Sequence, residues 1–249
     1  MNRGRFLAAN AVASTLRALY RPDAPATGTR VLMYHDVNSS GRDADIYSIP
    51  SDSFSRGVLA VAKWALDNEH HFVKFSAEPK PGIAVTFDDG YRSTLELAAP
   101  VFAGLEIPFH TFVTMSYVKS GDSRYLSEGD LKVLAEFPGA TLGLHGTSHS
   151  RLSLLSDDSL QREISESRDW LEQLIGRTVN SLSYPHGDFD ARVSTTARAC
   201  GITAAACSRI GTFSETSQSL SIPRVDVWSY DSPQSTVAKT RGNWDFLLP

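Results

Sequence analysis

Short runs of β-branched and aromatic residues alternate along this chain with longer segments whose apolar positions recur every three or four residues. The runs VLMYHDV (31–37), FVKF (72–75), IAVTF (83–87), FHTFV (109–113), ATLGLH (140–145), VNSLSY (179–184), ITAAAC (202–207) and IPRVDVW (222–228) predict strands. Near-continuous apolar stretches of this kind are typical of strands covered on both faces. Between them, 54–70, 92–104, 127–137, 157–175 and 190–200 predict helices. The clearest is 157–175, where Leu160, Ile164, Leu171, Leu174 and Ile175 share a face, Ser156 can cap the start and Gly176 ends it. Ser127 is a second N-cap, with Glu128 and Asp130 in the first turn where the helix dipole favours acids. The polar stretch 38–53, with Gly41 and Pro50, reads as a long loop. Before the first strand, Phe6, Leu7, Asn10, Val12, Leu16 and Leu19 form an amphipathic helix ending near Pro22, followed by a linker over 22–29. Strands alternating with helices at this spacing imply an α/β fold with a mostly parallel sheet, open or closed. The organisation is a helix and linker over 1–29, one α/β body over 30–231, and a C-terminal helix or arm over 232–249.

Composition narrows the picture. A chain of 249 residues can bury a substantial core without disulfide staples. Its two cysteines, Cys200 and Cys207, read as small buried thiols. With 24 basic against 28 acidic residues it lacks the positive footprint of a nucleic-acid binder. No window is long and apolar enough to span a bilayer. The N-terminus has the basic-then-apolar order of a signal peptide, but Arg17 interrupts the run and no cleavage site follows. A cytoplasmic location is therefore expected. Docking of the first helix on the body is favoured over peripheral membrane contact through its Arg-bearing face.

Reactive residue types collect at the C-terminal ends of the predicted strands, the edge on which parallel α/β folds build active sites. Tyr34, His35 and Asp36 end the first strand. Asp88 and Asp89 follow IAVTF, His145 and His149 follow ATLGL, and Tyr184, Pro185, His186 and Gly187 follow the strand at 179–184. Singly, each has a bland reading: Asp-Gly is a turn signal, and two histidines four apart also occur on surfaces. Together, two His and one Asp make a ligand set that leaves positions open for water and substrate, and a second Asp beside it can act as base.

The residues TFDDGY (86–91), HGTSH (145–149) and SYPHG (183–187) resemble the three signatures of the polysaccharide deacetylase, or NodB-homology, family (carbohydrate esterase family 4). The segment that follows His149, from Arg151 to Ser167, is similar to that family's connecting segment. The resemblance covers roughly 80–227. It implies a single-domain distorted (β/α) barrel of about seven units and a hydrolase that removes acetyl groups from N-acetylated sugars with a divalent metal. In its terms Asp88 is the general base, and Asp89, His145 and His149 hold the metal. The backbone N–H of His186 serves the oxyanion, while Tyr184, Pro185 and Gly187 shape the substrate loop. Zn²⁺ is the default metal; Mn²⁺, Co²⁺, Ni²⁺ or Fe²⁺ also suit such a set. The partner is an acetylated sugar or glycan, as a polymer or as a lipid- or nucleotide-linked intermediate.

The sequence departs from the family pattern at three places. Gly146 stands where Ser or Thr is preferred after the first His. Ser183 replaces the Arg that usually orients the base, a role that Arg224 is a candidate to fill. The C-terminal Leu-x-His segment that supplies the general acid is missing or moved, since no His follows His186. His35 is the candidate replacement, held by Asp36 or Asp226, and His186 is its rival. Some biofilm-polysaccharide deacetylases look circularly permuted in this way and begin with a similar Tyr-His-Asp strand. Trp228 is a candidate sugar platform, with core packing the alternative. His110 is expected to be a core or barrel-lining residue. Alternative functions are a deformylase or O-acetyl esterase of the same chemistry, or an inactive barrel that binds glycans.

Overall fold

The computed structural model describes residues 3–19, 22–38 and 45–247. Residues 39–44 of the expected long loop and 248–249 of the expected tail lie outside the described residues. In chain order the elements are α1 (Arg3–Leu19), a single turn α2 (Ala24–Thr27), β1 (Thr29–Tyr34), β2 (Asp36–Asn38), β3 (Ser48–Pro50), α3 (Ser51–Asp67), β4 (Gly82–Phe87), α4 (Ala99–Gly104), β5 (Phe109–Val113), α5 (Met115–Lys119), α6 (Glu128–Ala135), β6 (Ala140–Leu144), α7 (Asp157–Ile175), β7 (Ser181–Ser183), α8 (Ala191–Ala199), β8 (Ala204–Ala206), β9 (Val225–Asp226) and α9 (Pro233–Arg241). Seven strands form one parallel sheet in the order β8-β7-β6-β5-β4-β1-β9, curled into a distorted (β/α) barrel; β2 and β3 form a separate parallel pair.

Both sheet faces are buried, which is why the strands read as unbroken apolar runs. Side chains alternate between them. Leu32, Tyr34, Ile83, Val85, Phe87 and Phe109 pack outward against the helices, while Val31, Ala84, Phe112, Ala204 and Ala206 fill the interior. Helix ends follow the local chemistry. Ser127 and Asp130 form a capping box at α6, Ser156 accepts from the Ser159 amide at α7, and Gly176 closes α7 in the left-handed conformation.

Several predicted elements are altered by their neighbours. FVKF contributes one bridge, Phe72 to Ile83, because β5 pairs with β4 only from Val85 onward and leaves Ile83 one open side. The strand expected over 222–228 is divided. Ile222 bridges to Ala206 of β8, and after Pro223 the chain crosses to pair Val225 and Asp226 with Leu32 and Met33. One short segment thus touches both edges of the sheet. The helix expected over 92–104 opens as a π-turn, Thr94–Ala98. Pro100 has no N–H to return to the preceding turn, so a wider hydrogen-bond spacing before it costs less. The stretch read as loop over 38–53 contains β3 and the first turn of α3.

The terminal helices lie together. Phe6, Ala9 and Ala13 of α1 are buried with Ala238 of α9, Trp228 and Trp244. Among the described residues, no helix is long and apolar enough to cross a membrane.

The barrel interior leaves no room at Gly143, where an added Cβ would lie 2.5 Å from Ser181 Oγ and 2.6 Å from His110 Nε2. Gly143→Ala is expected to cost about 1–3 kcal/mol by overpacking, lowering the melting midpoint by roughly 2–4 °C per kcal/mol at this chain length. Gly104→Ala, whose Cβ meets nothing within 4 Å, should leave the midpoint unchanged or slightly raised. Thermal unfolding of the two variants checks this, and equal midpoints would contradict the packing described.

Candidate active site

The strand period carries the interior face of β4 from Ala84 through Thr86 to Asp88, just past the strand end. The Asp88 amide still donates to Tyr34 O (3.0 Å), which keeps the residue in sheet register. Its carboxylate is buried and meets Arg224, which arrives from the segment that precedes β9. Arg224 Nη1 donates to Asp88 Oδ1 (2.7 Å) and Nη2 to Oδ2 (2.8 Å), a two-point clamp. Ser183, at the end of β7, donates its hydroxyl to Asp88 Oδ2 (3.0 Å) and accepts from Arg224 Nη2 (2.8 Å). Burial would raise the Asp88 carboxyl, but Arg224 and His145 outweigh it and hold the group at about 2.

Asp89 turns away from its neighbour because its backbone is left-handed, with φ 71°. Its Oδ1 lies 3.3 Å from His145 Nε2 and 3.2 Å from His149 Nε2. His145 is the next interior position on β6 after Gly143. The chain then doubles back through Gly146 (φ 77°) and reaches His149 with φ 62°, bringing the second ring 4.9 Å from the first. His145 Nδ1–H donates to Ser183 O (2.8 Å), which leaves the Nε2 lone pair free in the neutral ring.

This donor set fits a divalent cation. The three donor atoms lie within 4.8 Å of one another, and the 3.3 and 3.2 Å separations from Asp89 Oδ1 match donors placed about 2.0–2.2 Å from one ion. Asp89 Oδ1 is also buried without a hydrogen-bond partner of proper geometry, an orphan that a cation would satisfy. Burial opposes its ionisation, yet the two imidazoles hold the Asp89 carboxyl well below the usual carboxylate range.

These residues border a cavity of about 400 Å³ that His35, Tyr47, Tyr91, Arg151, Tyr184, His186, Gly187 and Asp226 also line. His35 Nδ1 and Asp226 Oδ1 are both buried without partners. Asp226 sits on β9 in register with Met33, two residues before His35. Burial pushes the Asp226 carboxyl up, and His35 is the first charge that opposes this. Asp36, the other carboxylate weighed as a holder of His35, is used elsewhere. Its two oxygens accept from Ser93 Oγ (2.7 Å) and Ser48 Oγ (2.5 Å), tying the β2–β3 pair to the segment after the aspartates. His186 is exposed, with φ 60°, and its ring is 4.6 Å from that of His149. Tyr184 is anchored through its hydroxyl to Leu220 O (2.9 Å), and Pro185 is buried and does not line the cavity.

Trp228 does not reach the cavity. Its indole is buried with Phe6 and Trp244, and Lys239 Nζ lies 3.7 Å from its ring centroid, so it is a core residue and not a sugar platform. His110 lies in the interior, bonded to Ser181 Oγ (2.8 Å), and burial keeps it neutral, down at about 3. Sequence reasoning did not single out Tyr47, whose ring is 4.5 Å from that of His35. It belongs to a polar stretch with no periodic signal.

The family model described as Polysaccharide deacetylase matches residues 76–205. The putative polysaccharide deacetylase YxkH of Bacillus subtilis is 24% identical over 181 residues, covering 69% of this chain and 61% of that protein. A poly-beta-1,6-N-acetyl-D-glucosamine N-deacetylase of Staphylococcus aureus is 23% identical over 171 residues, covering 60% of this chain and 57% of that protein. The chain therefore spans about three fifths of the length of these curated relatives. The deacetylase PplD of Streptococcus pyogenes, solved with acetate, shares the fold with a TM-score of 0.75 at 18% identity, over 86% of this chain and 99% of that one. With the family match extending over more than half of its length and containing both aspartates, both histidine donors and the Tyr184–Gly187 loop, the chain belongs to the polysaccharide deacetylase family.

Proposed function

We propose that this protein is a metal-dependent N-deacetylase of acetylated amino-sugar glycans, with Asp88 as its base and His35 as its acid. The observation that carries this reading is the division between two consecutive carboxylates. Asp88 is clamped by Arg224 and Ser183, while Asp89 faces two imidazoles. A structural pair of acids has no reason to be held in such different surroundings, whereas a ligand and a base need to be.

A divalent cation at Asp89, His145 and His149 would polarise the acetyl carbonyl and make the attacking water acidic enough for a carboxylate to deprotonate. Asp88 accepts a proton from that water as its oxygen bonds to the carbonyl carbon. The His186 N–H is assigned to the oxyanion that develops. His35 gives its proton to the sugar nitrogen as the C–N bond breaks, leaving the free amine and acetic acid, which loses its proton to solvent as acetate. Asp226 is the carboxylate assigned to orient His35. Over the cycle the proton gained by Asp88 and the one lost by His35 balance. Zn²⁺ is the first metal to try, since a set of two imidazoles and a carboxylate suits it; Co²⁺, Ni²⁺, Mn²⁺ and Fe²⁺ follow. The Staphylococcus aureus relative is named for a β-1,6-linked N-acetylglucosamine polymer, and that class is taken as the first substrate.

Acetate release from β-1,6-linked N-acetylglucosamine oligomers should require added divalent metal, vanish on chelation and return on reconstitution. Asp88→Asn should lower kcat by about 10²–10⁴-fold without loss of metal binding. Release of acetate from O-acetyl sugars alone would overturn the assignment, as would a fully active Asp88→Asn.

His35→Gln should lower kcat with little change in KM, and Asp226→Asn should lower kcat by a smaller factor. Unaltered kinetics in both variants would return the acid role to His186.

Arg224→Met should destabilise the fold by about 3–5 kcal/mol, because it leaves a buried carboxylate unpaired. A double-mutant cycle with Asp88→Asn, followed by urea unfolding, should give coupling of at least about 1 kcal/mol; additive effects would refute the clamp.

A further inference from the structure

The loop between the two histidine donors has no regular structure of its own, and it reverses through two left-handed residues, Gly146 and His149. It is held from one side by a single side chain of α7. Glu163 Oε2 accepts from the backbone N–H of Thr147 (2.8 Å) and of Ser148 (2.9 Å), and Glu163 Oε1 accepts from Ser148 Oγ (2.5 Å). The Thr147 hydroxyl donates to the Glu163 carbonyl oxygen (3.1 Å). Four hydrogen bonds thus run from residues 147–148 to one residue on a regular, well-packed helix. From the other side the loop carbonyls accept from α5, with Ser116 N donating to Thr147 O (2.8 Å).

We infer that Glu163 is the positioning residue of the metal-donor pair, setting where His149 stands relative to His145. The inference rests on the proposed metal role of these histidines and goes beyond it. Gly146 supports it independently. At φ 77°, an added Cβ there would lie 3.2 Å from Glu163 Oε2, so a side chain at 146 and the carboxylate compete for the same space. The family signature places Ser or Thr there; this chain has a bare backbone, and a glutamate from the neighbouring helix supplies the hydrogen bonds. Charge-assisted bonds to paired amides are short and directional, so they fix both the position and the tilt of the loop. His149 follows the held amides directly. A shift of the loop moves His149 Nε2 out of the donor triangle while leaving in place His145, which directly follows β6 and is held by its amide on Val113 O (2.8 Å) and its Nδ1–H on Ser183 O.

The test measures Zn²⁺ affinity by competition with a chromophoric chelator, using the full chain, Glu163→Ala, Glu163→Gln and the exposed Glu166→Gln as control. Glu163→Ala should bind Zn²⁺ about 10–100-fold more weakly than the parent, in the range seen when partners of metal ligands are removed. Glu163→Gln, which keeps one acceptor oxygen, should fall between them, and Glu166→Gln should match the parent. The Co²⁺-loaded protein supplies a second readout. Its visible spectrum should change in Glu163→Ala, while the melting midpoint of the metal-free protein moves far less than a general loss of folding requires. Zn²⁺ affinity within twofold of the parent in Glu163→Ala would overturn the inference alone. Failure of the parent itself to bind Zn²⁺ or Co²⁺ would overturn both it and the metal reading.

Discussion

A guanidinium and a carboxylate closed inside a barrel are the constraint on which this molecule turns. The Arg224 and Asp88 side chains are 0% and 4% exposed, and removing two ions from water is repaid only when their remaining donors and acceptors are filled. They are filled here. Besides its two bonds to Asp88, Arg224 donates through Nε to Cys207 O (3.1 Å), through Nη1 to Thr86 Oγ1 (3.3 Å) and through Nη2 to Ser183 Oγ. The phenyl ring of Phe112 lies beneath it, 5.8 Å from the guanidinium carbon. One side chain therefore ties β4, β7 and the end of β8 to the segment that leads into β9. This is where the sheet order leaves its gap, so the clamp on the candidate base also closes the barrel.

A second buried cation fixes the same edge from outside. Lys239 of α9 donates to the Asp226 carbonyl (2.8 Å) and to Asp231 Oδ2 (2.6 Å), and it sits against the rings of Trp228 and Trp244. Arg30 of β1 donates twice to the Lys239 carbonyl and pairs with Asp245. β1 and β9, which carry His35 and Asp226 to the cavity, are thereby bound to the terminal helices. Trp228, a candidate sugar platform in sequence, is better understood as part of the cage of this lysine.

The strands and the donor residues were legible because both are local. A strand buried on two faces shows as an apolar run, and Asp88-Asp89 and His145–His149 are close in sequence. What joins them is not local. The carboxylate that meets Arg224 lies 136 positions earlier, and no periodicity indicates which late arginine will face it. Ser183, noticed as the place of a missing arginine, is itself one of the Asp88 partners. Glu163 sits inside a helix whose amphipathic pattern explains it fully as a half-exposed polar position; only the backbone amides opposite reveal another use. The same limit applies to β3 and Tyr47, which reach their neighbours through a pairing of two three-residue strands, too short to show alternation.

Backbone strain is distributed in a way that follows from these anchors. Among the described residues, five other than glycine have positive φ, and three of them, Asp89, His149 and His186, border the same cavity. Each such conformation costs roughly 1–2 kcal/mol and persists only where the surroundings over-determine it. For Asp89 the surroundings are the clamped Asp88 on one side and the imidazoles on the other. For His149 they are the loop amides held by Glu163. For His186 they are the tight turn closed by the Gly187 N–H on Tyr184 O, with Tyr184 anchored in the core. In each case a rigid element carries the bond that fixes the turn, and the side chain turned into the cavity is left free for chemistry. The stability of the barrel thus supports three unfavourable conformations at its rim, and those conformations bring acids and imidazoles from different strands to one point.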